Sequence, residues 1–381
     1  MTPPTDPYQA VTHPDPYPYY AGLCARGGLQ RIPGFEPWVA ADAATVQAVL
    51  AHGQLRVRPQ AEPVPSHLVG SAAGALFGRL VRMNDAAPYP LVKQALSDTL
   101  PLLVQAVHVA SRLQAARLFS GLRLSRLPET ALQFPVFVLG SLLGLPETSL
   151  EESVRDVEAY VRSVAHPASS PEGAAGAARL VERMATCLHS SPRLPDVLAA
   201  FAARLRHGGA PEEALIPNAV GLITQAYEAT AGLVGASLLA IARMPQLREE
   251  VARGECTLED IIHEAARHDA PVQNTRRFLH ARATLGEQEL EAGATVVVVL
   301  AAANRDPRVN PQPERFLPHR HDRRTFTFGA GAHACPGQTL AVTMATAAVE
   351  QVLASDLDLT PLSRSVTWRP STNARILGGF S

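Results

Sequence analysis

The sequence predicts a mainly α fold with small β-sheets, an α+β arrangement in which helices dominate. Three observations carry that expectation. Between about residues 40 and 300, apolar side chains recur at three- and four-residue spacing and prolines punctuate the runs. Strand signals are sparse and gather late, around the β-branched run Thr295 to Leu300. A polar, proline-rich stretch from Asn304 to Thr327 has no period and reads as a long irregular loop, a kind of segment that is uncommon and often functional.

The elements follow in order. The first twenty residues are rich in proline and tyrosine and lack the basic and apolar regions of a secretion signal. Residues 1–14 are therefore expected as an extended N-terminal segment, and the protein in the cytoplasm. Trp38 to Ala40 and Leu55 to Val57 read as edge strands flanking a helix over Asp42 to His52. Helices are then expected over Tyr89 to Leu100, Leu102 to Leu122, Glu129 to Leu143, Ser149 to Val164, Gly173 to His189 and Arg193 to His207. HPASSPEG, His166 to Gly173, reads as a mobile loop because it offers no apolar anchor. A long helix over Leu215 to Arg243 and a shorter one over Leu258 to Arg267 precede a small sheet of Ala283 to Leu285, Gln288 to Leu290 and Thr295 to Leu300. With no internal repeat and no clear linker, a single domain over 1–381 is expected.

Composition limits what such a domain does. Of 381 residues, 46% are apolar and the formal charge is −1, so the clustered positive charge of a nucleic-acid or membrane-surface binder is missing. The longest apolar stretches, Phe134 to Leu145 and Ala294 to Ala303, are shorter than the roughly 20 residues that span a bilayer. Neither a membrane nor a nucleic-acid partner is expected. Cys24, Cys187, Cys256 and Cys335 lie far apart without a CxxC pair, which argues against disulfide and zinc frameworks.

One cysteine stands in a distinctive setting. In FTFGAGAHACPGQTL, residues 326–340, Gly329, Gly331 and Gly337 surround Cys335, so the backbone can approach a flat, bulky partner. Pro336 suits the first position of the apolar-periodic run that follows, which places Cys335 at a helix N-terminus. Amides and dipole there favour a thiolate, a nucleophile or a metal ligand. A nucleophile needs a rigid basic partner, and His333 sits on a glycine loop. A lone thiolate at such a loop fits axial ligation of haem iron better.

The stretch resembles the haem-binding signature of cytochromes P450, F-G-x-G-x-H-x-C-x-G, through Phe328, Gly329, Gly331, His333, Cys335 and Gly337. The resemblance covers nearly the whole chain, from about Asp15 to Gly379, and is weakest at Leu55 to Gly78 and Ala159 to Gly173. It implies the cytochrome P450 fold, haem b (iron protoporphyrin IX) ligated by Cys335, and a monooxygenase that hydroxylates or epoxidises a small to mid-sized organic molecule with O2. A ferredoxin and its reductase would supply electrons to a monomeric enzyme. Arg320, Arg323 and Arg324 are either docking charges for that carrier or a solvated loop.

Further positions follow from the same resemblance. Glu264 and Arg267 match E-x-x-R, and Arg315 in PERF matches the arginine that completes a buried triad. His333 and Arg277 are implied propionate donors, with Arg276 second. In MNDAAPYPLVKQ, Pro88 stands where the family has histidine, and Lys93 is the nearest cation. LITQAYEATAGLVG resembles the distal helix. Glu228 supplies its acid, but Ala229 replaces the usual threonine, and Thr230 is rotated about 100° from that position. Proton delivery then falls to a water held by Glu228, a substrate hydroxyl or the amide of Gln225. Peroxide-driven or coupling chemistry, and a non-catalytic haem protein, remain the rival readings. Leu222, Gln225, Ala226, Ala229, Thr230, Val272, Gln273 and Asn274 are the implied pocket residues.

Overall fold

The computed structural model describes residues 2–190, 195–355 and 357–380. The expected predominance of helix holds. The helix expected over Leu215 to Arg243 runs over Leu215–Arg243, and the next runs over Leu258–His268. The latter starts at a capping box: Thr257 Oγ1 accepts from the Asp260 amide at 3.1 Å, and an Asp260 carboxylate oxygen accepts from the Thr257 amide at 2.9 Å. The helix expected to begin at Arg193 spans Asp196–His207, and its first expected residues lie outside the described ones.

Nine strands accompany the helices: β1 Leu29–Ile32, β2 Phe35–Ala40, β3 Leu55–Arg56, β4 Thr275–Leu279, β5 Ala283–Leu285, β6 Gln288–Leu290, β7 Thr295–Val298, β8 Val366–Trp368 and β9 Leu377–Phe380, counted among the described residues. The main sheet has the order β1-β2-β7-β4-β3. The expected grouping of the late strands is revised. β5 and β6 form a separate hairpin, while β7 lies parallel to β2 and antiparallel to β4. β2 is not an edge strand, because β1 covers its free side. β4, sequence TRRFL, was hidden from pattern reading by two adjacent arginines; Arg276 faces outward while Arg277 is buried.

Two loop expectations are corrected. Residues 1–14 are not simply extended, since Pro7–Thr12 is helical, with Asp6 accepting from the amides of Tyr8 and Gln9 at 2.8 and 3.0 Å. Buried Arg375 ties this segment down by donating to the carbonyls of Val11, His13 and Pro14. HPASSPEG is a 3-10 turn, Pro167–Ser169, running into the helix Ser170–Ser190. Gly173 and Gly176 let that helix lie against Leu150–Ala165; a Cβ at Gly173 would meet the Ser163 side chain at 2.1 Å. Small residues read as a loop here serve close helix packing.

The distal helix Leu215–Arg243 runs through the main core and packs against Leu127–Leu142, Leu258–His268 and Gln338–Leu353. Such enclosure explains why it is apolar almost all round. Among the described residues, no helix is long and apolar enough to cross a membrane.

Candidate functional site

The irregular stretch from residue 304 to 327 has its backbone satisfied by buried side chains rather than by regular structure. The Asn304 side-chain oxygen accepts from the Phe326 amide at 2.5 Å, and its nitrogen donates to Thr327 Oγ1 at 2.8 Å. Asn310 bridges the carbonyls of Asn304 and Arg324 and accepts from the Arg324 amide at 3.0 Å. These bonds carry the chain to the cysteine loop, where the Cys335 amide donates to the Phe328 carbonyl at 2.8 Å.

Glu264 and Arg267 brace this stretch from below, both completely buried. Arg267 holds Glu264 with bonds of 2.6 and 3.0 Å and also donates to the carbonyls of Asn304, Pro313 and Arg315. Burial alone would raise the Glu264 carboxyl, but bonds from Arg267, the Leu317 amide and Arg323 outweigh it and hold the pKa below the ordinary carboxyl value. The third partner differs from the one expected. Arg315 is exposed, donates to Gln312 at 2.8 Å and offers Arg267 only its carbonyl. Arg323 reaches Glu264 at 2.9 Å, with Arg320 at 3.6 Å. Neither is therefore a free docking charge, while Arg324 is exposed.

The cysteine loop is backed by the helix Ala43–Ala51. Gly331 has φ +67°, and a Cβ there would stand 2.6 Å from the Leu50 carbonyl oxygen. Gly329 has φ +69°. Glycine is required at Gly331 both by conformation and by space. The helix following the loop spans Gln338–Leu353 with Gly337 as its cap, so Pro336 does not open it and Cys335 lies before its first turn. The simple helix-terminus argument for a low thiol pKa is revised accordingly. Burial raises the Cys335 thiol above its usual value, against the lowering influence of the Gly337 amide, Arg82 and Lys93. Cys335 is nevertheless exposed, whereas Cys24, Cys187 and Cys256 are buried. A sulfur that is both crowded by protein and open at its surface lies on the wall of an internal space.

Arg82 lies within electrostatic reach of both Cys335 and Glu228, and the distal helix also has an open face. Leu222, Gln225, Ala226, Glu228 and Ala229 are only half-buried there, although Ile223, Thr224, Tyr227 and Thr230 on the same helix are buried. Positions 222, 225, 226 and 229 share one face at helical spacing. Thr230 is 1% exposed, and its hydroxyl has no hydrogen-bond partner among the described residues. Glu228 is raised above the ordinary carboxyl value by burial, with Arg369 and Arg82 opposing and Glu158 reinforcing the rise. Gln273 and Asn274, expected on the pocket wall, are buried and bound to backbone: Gln273 donates to Ala270 O at 2.7 Å and Asn274 to Thr372 O at 2.8 Å. Val272 is half-buried.

Cations gather at the edge of the cysteine loop. Buried Arg277 is lowered to about 10 by desolvation. Lys93 donates to the carbonyls of Ala332 and Ala334, and burial lowers its pKa while Cys335 opposes that shift. His333 Nε2 lies 2.8 Å from Asp85 Oδ1. Burial would raise Asp85, but His333 and the Val57 amide hold it below its ordinary value. Asp85, His333, Lys93 and Arg56 border a cleft of about 420 Å³. Asp85 escaped the sequence reading although it lies in MNDAAPYPLVKQ, because its partner His333 is 248 positions away along the chain.

A soft sulfur open to an interior space, a loop shaped by glycines, and cations at its rim are the donor set that a planar, anionic metal macrocycle requires. The comparisons agree. The cytochrome P450 family model matches residues 257–363. A beta-dihydromenaquinone-9 omega-hydroxylase from Mycobacterium tuberculosis is 25% identical, covering 97% of this chain and 76% of its own. The cytochrome P450 monooxygenase PikC of Streptomyces venezuelae is 26% identical, covering 95% and 89%. The solved structure of CxnD, a cytochrome P450 enzyme for C–S bond formation in chuangxinmycin biosynthesis, is alike in fold with a TM-score of 0.82, 21% identity and coverage of 100% and 98%. Motif, site and fold converge: the chain has the cytochrome P450 fold, residues 257–363 match that family's model, and the site residues fit haem b.

Proposed function

We propose that this protein is a single-domain haem-thiolate monooxygenase that hydroxylates or epoxidises a small to mid-sized organic molecule, with O2 and electrons from a separate ferredoxin system. The observation that carries the reading is the open Cys335 sulfur on its glycine loop, with Arg82 in electrostatic reach of both that sulfur and Glu228 on the half-buried side of the distal helix. Cys335 supplies the thiolate, and Phe328, Gly329, Gly331 and Gly337 shape the loop that presents it. Arg277, with His333 and Lys93, holds the propionates. Bound haem supplies the chemistry of dioxygen activation, in which a thiolate ligand favours O–O cleavage.

The chain's own residues handle protons and orientation. Ala229 removes the hydroxyl that the family places on the distal helix, and Thr230 does not replace it because its side chain is buried away from the open face. Glu228 is the available acid. Its raised pKa keeps a proton on the carboxyl above the ordinary value of 4.5. Arg369 lies in its electrostatic surroundings and is paired with Glu158 at 2.9 Å; Glu158 also meets the exposed Arg162 at 3.1 Å.

Two expected outcomes test these roles. Glu228→Gln, measured as product formed per NAD(P)H consumed, should lower coupling and increase released hydrogen peroxide about 10-fold; unchanged coupling would sink the role. Wild-type coupling should fall as pH rises, because Glu228 loses its proton. The folded carboxyl binds its proton more tightly than the unfolded one, so its contribution to stability also declines with rising pH. For the cofactor, Arg277→Gln should weaken haem retention in an apomyoglobin transfer assay about 10-fold and Lys93→Gln about 3-fold. Equal retention in all three proteins would remove both residues from the propionate site.

Ala229 also favours a second reading, a P450-fold enzyme that uses peroxide or couples radicals. Turnover with hydrogen peroxide and no reductase distinguishes it from the first.

A further inference from the structure

Sequence comparison drew attention to Glu228 and Gln225, but the interior space holds another charge. Arg82 lies in the short turn Val81–Met83, which the Asn218 side chain fastens to the distal helix by accepting from the Val81 amide at 2.8 Å and donating to the Arg79 carbonyl at 3.1 Å. The preceding residue, Leu80, packs so closely on that helix that a Cβ at Gly221 would meet it at 2.8 Å. The turn is thus held rigidly beside the pocket. The Arg82 side chain makes no hydrogen bond or ion pair among the described residues, and it is exposed like Cys335 while crowded by surrounding protein. The charged or polar groups in its electrostatic surroundings are Cys335, Glu228, Tyr160 and Arg277. A guanidinium is always charged and carries five donors, and leaving it unpaired in an enclosed space is costly.

Tyr160 provides an independent observation. It projects from the helix Leu150–Ala165, is 3% exposed, and its hydroxyl is buried with no hydrogen-bond partner among the described residues. A buried phenol normally finds a partner. Two unpaired donors therefore lie within electrostatic reach of each other, a cation on the turn and a phenol on a helix from another part of the fold. Glu228, the nearby acid, makes no hydrogen bond or ion pair with either of them among the described residues.

We propose that Arg82 and Tyr160 form a subsite for a carboxylate on the substrate, and so that this enzyme acts on carboxylic acids. The carboxylate accepts from the guanidinium and the phenol, while Leu222, Ala226 and Ala229 face its carbon skeleton. Arg82 is assigned to substrate rather than to a haem propionate because Tyr160 stands on the distal side, on a helix packed against Ser170–Ser190. The propionate donors Arg277, His333 and Lys93 come from β4, the cysteine loop and the helix Tyr89–Thr99.

This inference rests on the haem-thiolate reading, and the test keeps the two apart. Haem-loaded wild type, Arg82→Gln and Tyr160→Phe are first checked for haem content and for a thiolate-type band after reduction and CO addition. They are then titrated, by the substrate-induced shift of the haem spectrum, with matched pairs of alkanoic and arylalkanoic acids and their primary amides. Expected is tighter binding of acids than amides by wild type, loss of about 10- to 100-fold in acid affinity in Arg82→Gln, and about 3- to 10-fold in Tyr160→Phe, with amide affinity unchanged. No acid preference in any pair, or equal losses for acid and amide, overturns the subsite. Lowered haem content in Arg82→Gln, with acid preference intact in the fraction that retains haem, also overturns it, placing Arg82 on a propionate. Absence of the thiolate band in wild type defeats the underlying reading instead.

Discussion

Cys335→Ala should abolish the thiolate-type band in the reduced, CO-treated protein and reduce turnover to background, while leaving the fold almost unchanged. The side chain is exposed to an interior space, so its removal leaves no packed cavity and should cost under about 1 kcal/mol in a denaturant titration. Cys335→Ser should behave similarly in activity, because a hydroxyl is a hard and poorly ionised donor that cannot replace a thiolate. The raised thiol pKa of the cofactor-free protein does not oppose this role. Ligation displaces the proton, so metal binding and thiol ionisation are coupled. A retained thiolate band in Cys335→Ala would overturn the assignment of the ligand.

The second large effect concerns stability. Arg267→Met and Glu264→Gln should each cost about 3–5 kcal/mol in equilibrium unfolding, since each strands a buried group whose partner is gone. Arg267→Met also orphans the carbonyls of Asn304, Pro313 and Arg315, which hold the loop leading to Cys335. Arg323→Gln should cost more than Arg315→Gln, because Arg323 bonds Glu264 at 2.9 Å while the exposed Arg315 side chain reaches only Gln312. The reverse order would restore the triad implied by the PERF stretch. The pH dependence has a definite sign. Glu264 is depressed below its ordinary value of 4.5, so its contribution is complete above that value and is lost as pH falls through the depressed folded pKa.

Much of the site was legible because its chemistry is written locally. Phe328, Gly329, Gly331, His333, Cys335 and Gly337 lie within ten residues, and the spacing of Glu264 and Arg267 alone puts them on one helix face. The long distal helix was legible to its ends because its apolar pattern is unbroken over eight turns. Other features depended on partners far along the chain. Arg323 became the third member of the buried cluster, rather than Arg315, because the irregular loop turns one arginine inward and the other to solvent. Gln273 and Asn274 follow Val272 directly, yet their amides are taken by backbone from Ala270 and Thr372.

The sequence by itself determined the helical class and marked out Cys335 and Glu228, the ligand and acid proposed here, since periodicity and short motifs record local geometry. Tertiary structure alone decided what shares the interior with them. Arg82 and Tyr160 belong to segments with no common motif, and only the packing of the turn at Val81–Met83 and the helix Leu150–Ala165 brings them near each other and near Glu228 and Cys335. Electrostatic fields and unmet hydrogen bonds are properties of that packing, and pattern along a chain carries no trace of them.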